Sequence, residues 1–171
     1  MKADDVRAIL TALNDAEVRY LIVGGLAVVA HGYVRFTQDI DLVVQLEREN
    51  ILRAMNALTI IGYRPLIPVD AKDFADGRLR QEWREEKGMI VFQMLNLERE
   101  STRLDIFVTE PFAFTEEFEG AKWHDLDGLR APVLRLTTLI TMKEAAGRPQ
   151  DLADADSLRD ILRLQQGEIE P

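Results

Sequence analysis

Apolar residues recur along the first third of the chain with the spacing of helices and then of strands. Residues 3–15 and 47–62 place apolar side chains on one helical face, and Gly62 ends the second pattern. Between them, residues 21–23 form the short apolar run of a buried strand, and residues 35–42 alternate with a two-residue period. With the helix-like segment of residues 26–30 between the two strands, the order helix, strand, helix, strand, helix predicts the beginning of an α/β fold.

The middle of the chain is mixed. Residues 63–69 contain two prolines and predict a connecting loop. Residues 70–87 alternate charges of both signs, which indicates a solvated helix or loop; the alternative is that Arg78, Arg80 and Arg84 reach a substrate. Residues 89–95 are apolar throughout and predict a strand buried on both faces, paired across a polar turn with a strand over residues 103–108.

The last third predicts a small hairpin and two helices. Residues 109–119 predict a short helix or lid, and two strands near residues 122–125 and 129–134 meet at the turn signal Asp127-Gly128. Thr137 or Thr138 is expected to cap a helix that ends at Gly147, and Pro149 is expected to open a helix to about residue 165. We therefore expect an α/β (α+β) fold with a mixed central sheet, flanking helices and C-terminal helices.

Composition narrows the class of protein. The 171 residues are 47% hydrophobic and 30% charged, which predicts one globular domain, with a core over about residues 1–110 and a C-terminal part over about residues 111–171. The charged N-terminus resembles no signal peptide and no apolar run could cross a bilayer, so we expect a cytoplasmic protein without membrane contact. The net charge of −9 disfavours a large nucleic-acid partner.

Residue types also exclude several chemistries. The chain contains no cysteine, so it has no disulfide, no thiolate nucleophile and no zinc–sulfur site. Its two histidines, His31 and His124, are far apart in the sequence, which makes a histidine metal cluster improbable. Oxygen ligands remain as the candidates for binding a metal ion.

Carboxylates occur in two patterns that suggest such ligands. Asp39 and Asp41 fall on one face of the alternating strand, together with Arg35 and Thr37, and would repel each other without a cation. Asp105 is the one acid within an otherwise apolar strand and needs a partner. Aspartates of this kind suit Mg²⁺, or Mn²⁺, with substrate phosphates completing the coordination.

Two further features are compatible with phosphate binding. Gly24 and Gly25 join a strand to a helix N-terminus, where backbone N–H groups can receive a phosphate. Lys143 and Asp151 lie on the apolar faces of the two last helices and should point inward. They either neutralise each other as a structural pair or contribute to the site.

The spacing of Gly24-Gly25 and Asp39-Ile40-Asp41-Leu42 resembles the signature of the nucleotidyltransferase superfamily, the polymerase-beta-like fold. The block from Lys143 to Asp151 is similar to the C-terminal segment of stand-alone bacterial members, including the AbiEii-like toxins. The resemblance covers residues 20–44, 103–108 and 143–158; Gly25 departs from it, because many members carry serine there.

The resemblance implies a metal-dependent nucleotidyltransferase with Asp39, Asp41 and Asp105 as catalytic and metal-binding residues. It further implies that Gly24, Gly25, Arg35, Thr37, Lys143 and Asp151 bind the NTP, for which ATP is one candidate. The acceptor stays open between a tRNA end, a protein hydroxyl and a small molecule such as an antibiotic. A toxin with an antitoxin partner and a non-catalytic nucleotide- or partner-binding module are alternative hypotheses.

Overall fold

A mixed seven-stranded sheet forms the centre of the molecule, as seen in a computed structural model that describes residues 1–96, 102–126 and 128–167. Its strands are β1 Tyr20–Val23, β2 Asp39–Val44, β3 Tyr63–Pro65, β4 Val91–Asn96, β5 Arg103–Phe107, β6 Lys122–Leu126 and β7 Leu129–Val133. The order across the sheet is β3-β4-β5-β2-β1-β7-β6. Pairs β2–β5 and β1–β7 are parallel and the other pairs are antiparallel. The expected fold class is confirmed.

Seven α-helices surround this sheet in the described ranges. They are α1 Ala3–Asp15, α2 Gly24–Ala30, α3 Arg48–Ile60, α4 Gly77–Lys87, α5 Phe114–Glu119, α6 Leu136–Ala146 and α7 Pro149–Gln166, with a short 3-10 helix at Ala71–Ala75. The apolar stripes of α1 and α3 are buried, as their spacing predicts. Pro149 does open α7. No helix in the described part of the chain is long and apolar enough to cross a membrane.

Residues 35–38 do not belong to a strand, contrary to the alternating pattern. Strand β2 begins at Asp39, where its pairing with Arg103 of β5 begins, and its pairing with β1 reaches only to Asp41 opposite Val23. On the β1 side, Gly24 already starts a helix, so residues 35–38 have no continuation of β1 to pair with. They instead form an irregular segment that leads into the acids.

Strands β3 and β4 also differ from expectation. Residues 63–65 form an edge strand instead of a loop; a proline at position 65 is compatible with an edge, where a missing N–H costs no ladder hydrogen bond. Strand β4 alternates between buried and half-buried residues, so it is not buried on both faces. Its half-buried face carries Gln93.

Two details in the C-terminal part need correction or stay outside the described residues. Helix α6 begins at Leu136 after Arg135, so neither Thr137 nor Thr138 caps it; the Thr138 hydroxyl donates instead to Glu117, over 2.7 Å. The hairpin of β6 and β7 is present, and Gly128 takes a left-handed φ of 81°. Asp127 and the turn residues 97–101 lie outside the described ranges.

The charged residues 70–87 are attached to the core by aromatic packing. Trp83 of α4 stacks on Phe92 with ring centroids 5.6 Å apart, and the ring centroid of Phe74 lies 4.9 Å from that of Phe92. Arg80 lies over the Phe74 ring and donates to the Phe74 carbonyl, so this arginine has a structural role. Most of the remaining charged side chains are exposed, as a solvated helix predicts, whereas Asp73 and Asp76 are half-buried.

This aromatic cluster generates a stability prediction. Phe92 is fully buried, and its ring contacts the rings of both Phe74 and Trp83. Phe92→Ala should therefore lower the free energy of unfolding by about 3–5 kcal/mol. Ile90 is 69% exposed, and Ile90→Ala should change it by less than about 0.5 kcal/mol. Urea unfolding followed by circular dichroism compares the two variants. Equal losses would show that the cluster contributes little to stability.

Candidate active site

Three aspartates lie on the same face of the sheet, near the start of the parallel pair β2–β5. Asp41 is directly opposite Asp105 in the register, so their side chains leave the sheet on the same side. Asp39 is two residues earlier on β2 and shares that face. Asp105 therefore points to the same side of the sheet as Asp39 and Asp41 and not to the opposite side.

Electrostatic effects show that these carboxylates are close enough to repel one another. Burial raises the pKa of Asp41 to about 6, and the negative charges of Asp105 and Asp39 contribute to the increase. Burial also raises the pKa of Asp105, with a further contribution from Asp39. A cation between these groups would remove the repulsion.

The three aspartates share one face but do not form a complete cluster of metal ligands. Across residues 1–96, 102–126 and 128–167, no three histidine, aspartate or glutamate side chains lie close enough together to hold a metal ion. The donor set still fits a hard divalent cation, because it consists of carboxylate oxygens whose ionisation is opposed by burial and by each other. The expected convergence on one metal site therefore stays a prediction.

Gln93 is part of this face and was not predicted from the sequence. It lies opposite Asp105 in the β4–β5 register, and its side-chain amide is 3.2 and 3.3 Å from the two carboxylate oxygens. This contact lowers the pKa of Asp105 and opposes the effect of burial. Only the antiparallel register reveals the pairing, because twelve residues separate Gln93 from Asp105 in the chain.

The glycine turn packs directly against Asp41. Gly24 has a φ of 60°, and a Cβ atom there would lie 1.9 Å from the Asp41 carboxylate oxygen Oδ2. The backbone N–H of Gly25 donates to the same carboxylate. Gly24 is therefore required twice, by its left-handed backbone and by the close approach of an acid.

Gly25 is enclosed by the segment that precedes β2. A Cβ atom at this position would lie 2.4 Å from the Thr37 hydroxyl oxygen and 2.8 Å from Nη2 of Arg35. The departure from serine at position 25 thus has a steric reason, because the side chains of Thr37 and Arg35 occupy the space. The structure places all four predicted residues of the turn and its following segment together: Gly24, Gly25, Arg35 and Thr37.

A buried network of charges joins the last two helices to this segment. The Lys143 ammonium group is 2.8 Å from Asp151 and 2.8 Å from Asp154. Arg148 pairs with Asp151 over 2.5 Å, and Arg35 pairs with Asp154 over 2.9 Å. Lys143 and Asp151 do point inward, as their positions on the helices predict.

The network is larger than a mutual pair. Burial raises the pKa of Asp151, but hydrogen bonds from Arg148 and Lys143 outweigh it and hold the pKa below its ordinary value. Lys143 is close enough to Asp41 to lower the pKa of that residue. Lys143 and Asp151 do pair, as the structural alternative expects, and Asp154, Arg35 and Arg148 extend that pair into a network. A role for Lys143 and Asp151 in the site stays a prediction.

The two histidines, which are far apart in the sequence, are neighbours in the fold. The Nε2 atom of His31 is 2.8 Å from the Leu134 carbonyl oxygen. The His31 ring contacts the His124 ring edge-on, with centroids 5.2 Å apart. Their separation along the chain therefore did not indicate their distance in the structure.

The mixed sheet and its flanking helices form a nucleotidyltransferase-like fold. The chain belongs to the aminoglycoside-2''-adenylyltransferase family, whose family model matches residues 5–157. No curated protein sequence matches it. The matched family is one of antibiotic adenylyltransferases, so the membership in the superfamily is confirmed and the AbiEii-like toxin subtype has no support.

Solved structures with the same fold agree with this class. The lincosamide antibiotic adenylyltransferase LnuA with bound lincomycin superposes with a TM-score of 0.61 at 15% identity, over 94% of this chain and 98% of that chain. ANT(2'')-Ia in complex with adenylyl-2''-tobramycin gives 0.58 at 16% identity, over 97% of both chains. A solution structure of ANT(2'')-Ia gives 0.55 at 15% identity, over 97% and 93%.

The contact between Gly24 and Asp41 can be tested with a matched glycine. Gly88 has a φ of 61° and nothing within 4 Å of an added Cβ, so Gly88→Ala should show only the backbone cost of about 1–2 kcal/mol. Gly24→Ala should lose about 1–3 kcal/mol more, because the Asp41 carboxylate must move. Chemical denaturation measures both. Equal losses would exclude a steric conflict with Asp41.

The raised pKa of Asp41 predicts a pH-dependent stability. Because the native state binds the Asp41 proton more tightly, its contribution is fully present below the ordinary aspartate pKa and is lost as the pH rises through about 6. Asp41→Asn should therefore be more stable than wild type at pH 8, by up to about 3 kcal/mol, and similar to it near pH 4. Thermal or urea unfolding in EDTA measures the difference.

The control for this experiment is Asp160→Asn, which removes an exposed carboxylate from α7 and should show no such change between the two pH values. A variant Asp41→Asn that is no more stable than wild type at pH 8 would contradict the burial and repulsion assigned to Asp41.

Proposed function

We propose that this protein transfers an adenylyl group from ATP to a hydroxyl group of a small-molecule antibiotic. One observation carries the proposal: Asp39, Asp41 and Asp105 share a face of the sheet beside the Gly24-Gly25 turn. The family supports an antibiotic as the acceptor, since it is named for aminoglycoside adenylylation. The structures of ANT(2'')-Ia with adenylyl-2''-tobramycin and of LnuA with lincomycin add support for this acceptor class.

In the proposed reaction, the acceptor hydroxyl oxygen attacks the α-phosphorus of ATP. A new phosphorus–oxygen bond forms, the bond to the β-phosphate bridge breaks, and pyrophosphate leaves. The hydroxyl proton passes to the carboxylate of Asp105, which acts as the general base. Gln93 orients the Asp105 carboxylate through its amide.

Asp39, Asp41 and Asp105 would hold Mg²⁺, or Mn²⁺, through their carboxylate oxygens. When bound, such ions supply positive charge to the phosphates of the nucleotide. Lys143 and Arg148 add positive charge from the protein itself. Gly24, Gly25, Arg35, Thr37 and Asp151 complete the nucleotide-binding region, either by contacting the triphosphate or by holding the residues that do.

Charge also favours a small cationic acceptor over the other candidates. The chain carries a net charge of −9, and an aminoglycoside carries several protonated amino groups that an acidic surface attracts. A tRNA end would be repelled by the same charge. Neither the family match nor the structure favours a toxin role with an antitoxin partner. A non-catalytic module is disfavoured, because it would not need three acids on one face beside a glycine turn.

A transfer assay tests the proposal. The purified protein is incubated with α-labelled ATP, Mg²⁺ and a panel that contains tobramycin and lincomycin, and adenylylated product is detected by mass spectrometry. We expect product with at least one antibiotic and none in EDTA. Asp105→Asn should lower kcat by about 10²–10⁴-fold, because the acceptor proton loses its base.

The matched control is Glu86→Gln, which removes one exposed carboxylate from α4 and should leave the rate unchanged. Full activity of Asp105→Asn would remove Asp105 from the reaction. Absence of product with every antibiotic, together with labelled protein or RNA in a cell extract, would replace the proposed acceptor class.

A further inference from the structure

The carboxylate of Asp154 lies at the centre of the charge network and has no role assigned by the sequence pattern. Its side chain is 1% exposed. The Asp154 carboxylate accepts a hydrogen bond from Nη2 of Arg35 over 3.0 Å and lies 2.9 Å from Nε of the same residue. It also lies 2.8 Å from the Lys143 ammonium group. All of its strong contacts are therefore with cations of other structural elements.

We propose that Asp154 is a positioning residue that holds the Lys143 ammonium group for the triphosphate and ties it to the segment that leads into Asp39 and Asp41. The inference rests on the proposed function, because its ligand is a nucleoside triphosphate. Asp154 itself does not touch the nucleotide.

Asp151 cannot replace Asp154 in this role, although both acids contact Lys143. The other partner of Asp151 is Arg148, three residues earlier at the start of the same helix. The other partner of Asp154 is Arg35, which is 119 residues away in the sequence. Among the described residues, Asp154 alone contacts both Lys143 and the segment of residues 35–38.

The connection reaches the glycine turn. Nη2 of Arg35, which donates to Asp154, lies where a side chain at position 25 would begin. Arg35 also donates from Nη1 to the Phe36 carbonyl, 2.9 Å away. Because Asp154 contacts both Lys143 and Arg35, a shift of its carboxylate would move the Lys143 ammonium group. It would also move the Arg35 side chain, which packs against Gly25.

The buried part of the network is neutral, and its surplus charge is exposed. Arg35 and Lys143 are 16% and 8% exposed and face the buried carboxylates of Asp151 and Asp154, while the third cation, Arg148, is 77% exposed. A balanced set of this kind is cheaper to bury than an unbalanced one. Arg148 is held mainly by Asp151 and is also close enough to Asp41 for that carboxylate to raise its pKa, so the exposed positive charge adjoins the candidate site and suits an anionic ligand such as a triphosphate.

Calorimetric titration of ATP with Mg²⁺, without an acceptor, tests the inference. Four variants are compared with wild type: Asp154→Asn, Lys143→Met, the double variant and Asp160→Asn. Asp154→Asn is nearly isosteric and should weaken ATP binding about ten- to a hundredfold, as removal of an orienting partner commonly does. In the Lys143→Met background, Asp154→Asn should cause no further loss.

Asp160→Asn removes an exposed carboxylate of the same helix, paired with Arg163, and should bind ATP as wild type does. Thermal unfolding of each variant separates a loss of ATP binding from a loss of folding. Should Asp154→Asn fail to fold, Asp154→Glu keeps the charge, displaces the carboxylate and carries the same comparison.

Three results would overturn the inference. They are unchanged ATP affinity in the folded Asp154 variant, a further full loss on adding Asp154→Asn to Lys143→Met, and wild-type protein that binds no ATP. A wild type that binds ATP but adenylylates no antibiotic would refute only the proposed acceptor, and the binding comparison would still decide the role of Asp154.

Discussion

The repulsion between two carboxylates across a parallel strand pair is the constraint on which the site depends. The register that aligns β2 with β5 sets Asp41 opposite Asp105 on a partly buried face. Groups from neighbouring segments oppose this repulsion: the Gly25 N–H donates to Asp41, the Gln93 amide on the adjoining strand β4 donates to Asp105, and Lys143 acts on Asp41 at longer range. The residues around Asp41 and Asp105 are therefore explained by the hydrogen bonds and the positive charge that they supply to these two carboxylates.

Gly24 illustrates how strongly the acids constrain the backbone. Its left-handed conformation allows β1 to end and α2 to begin within one residue, and the missing side chain leaves room for the Asp41 carboxylate. The same turn directs the Gly25 N–H to that carboxylate. Position 24 therefore needs glycine for two reasons. Glycine adopts the left-handed φ angle of the turn, and its missing side chain leaves space for the Asp41 carboxylate.

The sequence was sufficient to predict local features and insufficient for those set by long-range register. The alternation at Asp39 and Asp41 and the inward positions of Lys143 and Asp151 could be read locally, because they follow from helix and strand periods. Gln93 and Asp154 could not, because their roles depend on residues 12 and 119 positions away.

The errors have the same origin. Residues 35–38 have a strand-like pattern but lie beyond the end of β1, where α2 has already begun, and residues 63–65 pair at an edge despite a proline. In both places the presence or absence of a neighbouring strand decided the structure, and that neighbour comes from a distant part of the chain.

The signs of the charges give the candidate site a polarity that fits the proposed reaction. The sheet face carries three acids, while α6 and the start of α7 carry the cations Lys143 and Arg148, of which Arg148 is exposed. A triphosphate is attracted towards Lys143 and repelled by the aspartates unless cations accompany it. A protonated amino sugar is attracted by the acidic side instead. The nucleotide and a cationic acceptor are thus drawn to opposite ends of one site, which brings the hydroxyl and the α-phosphate together between them.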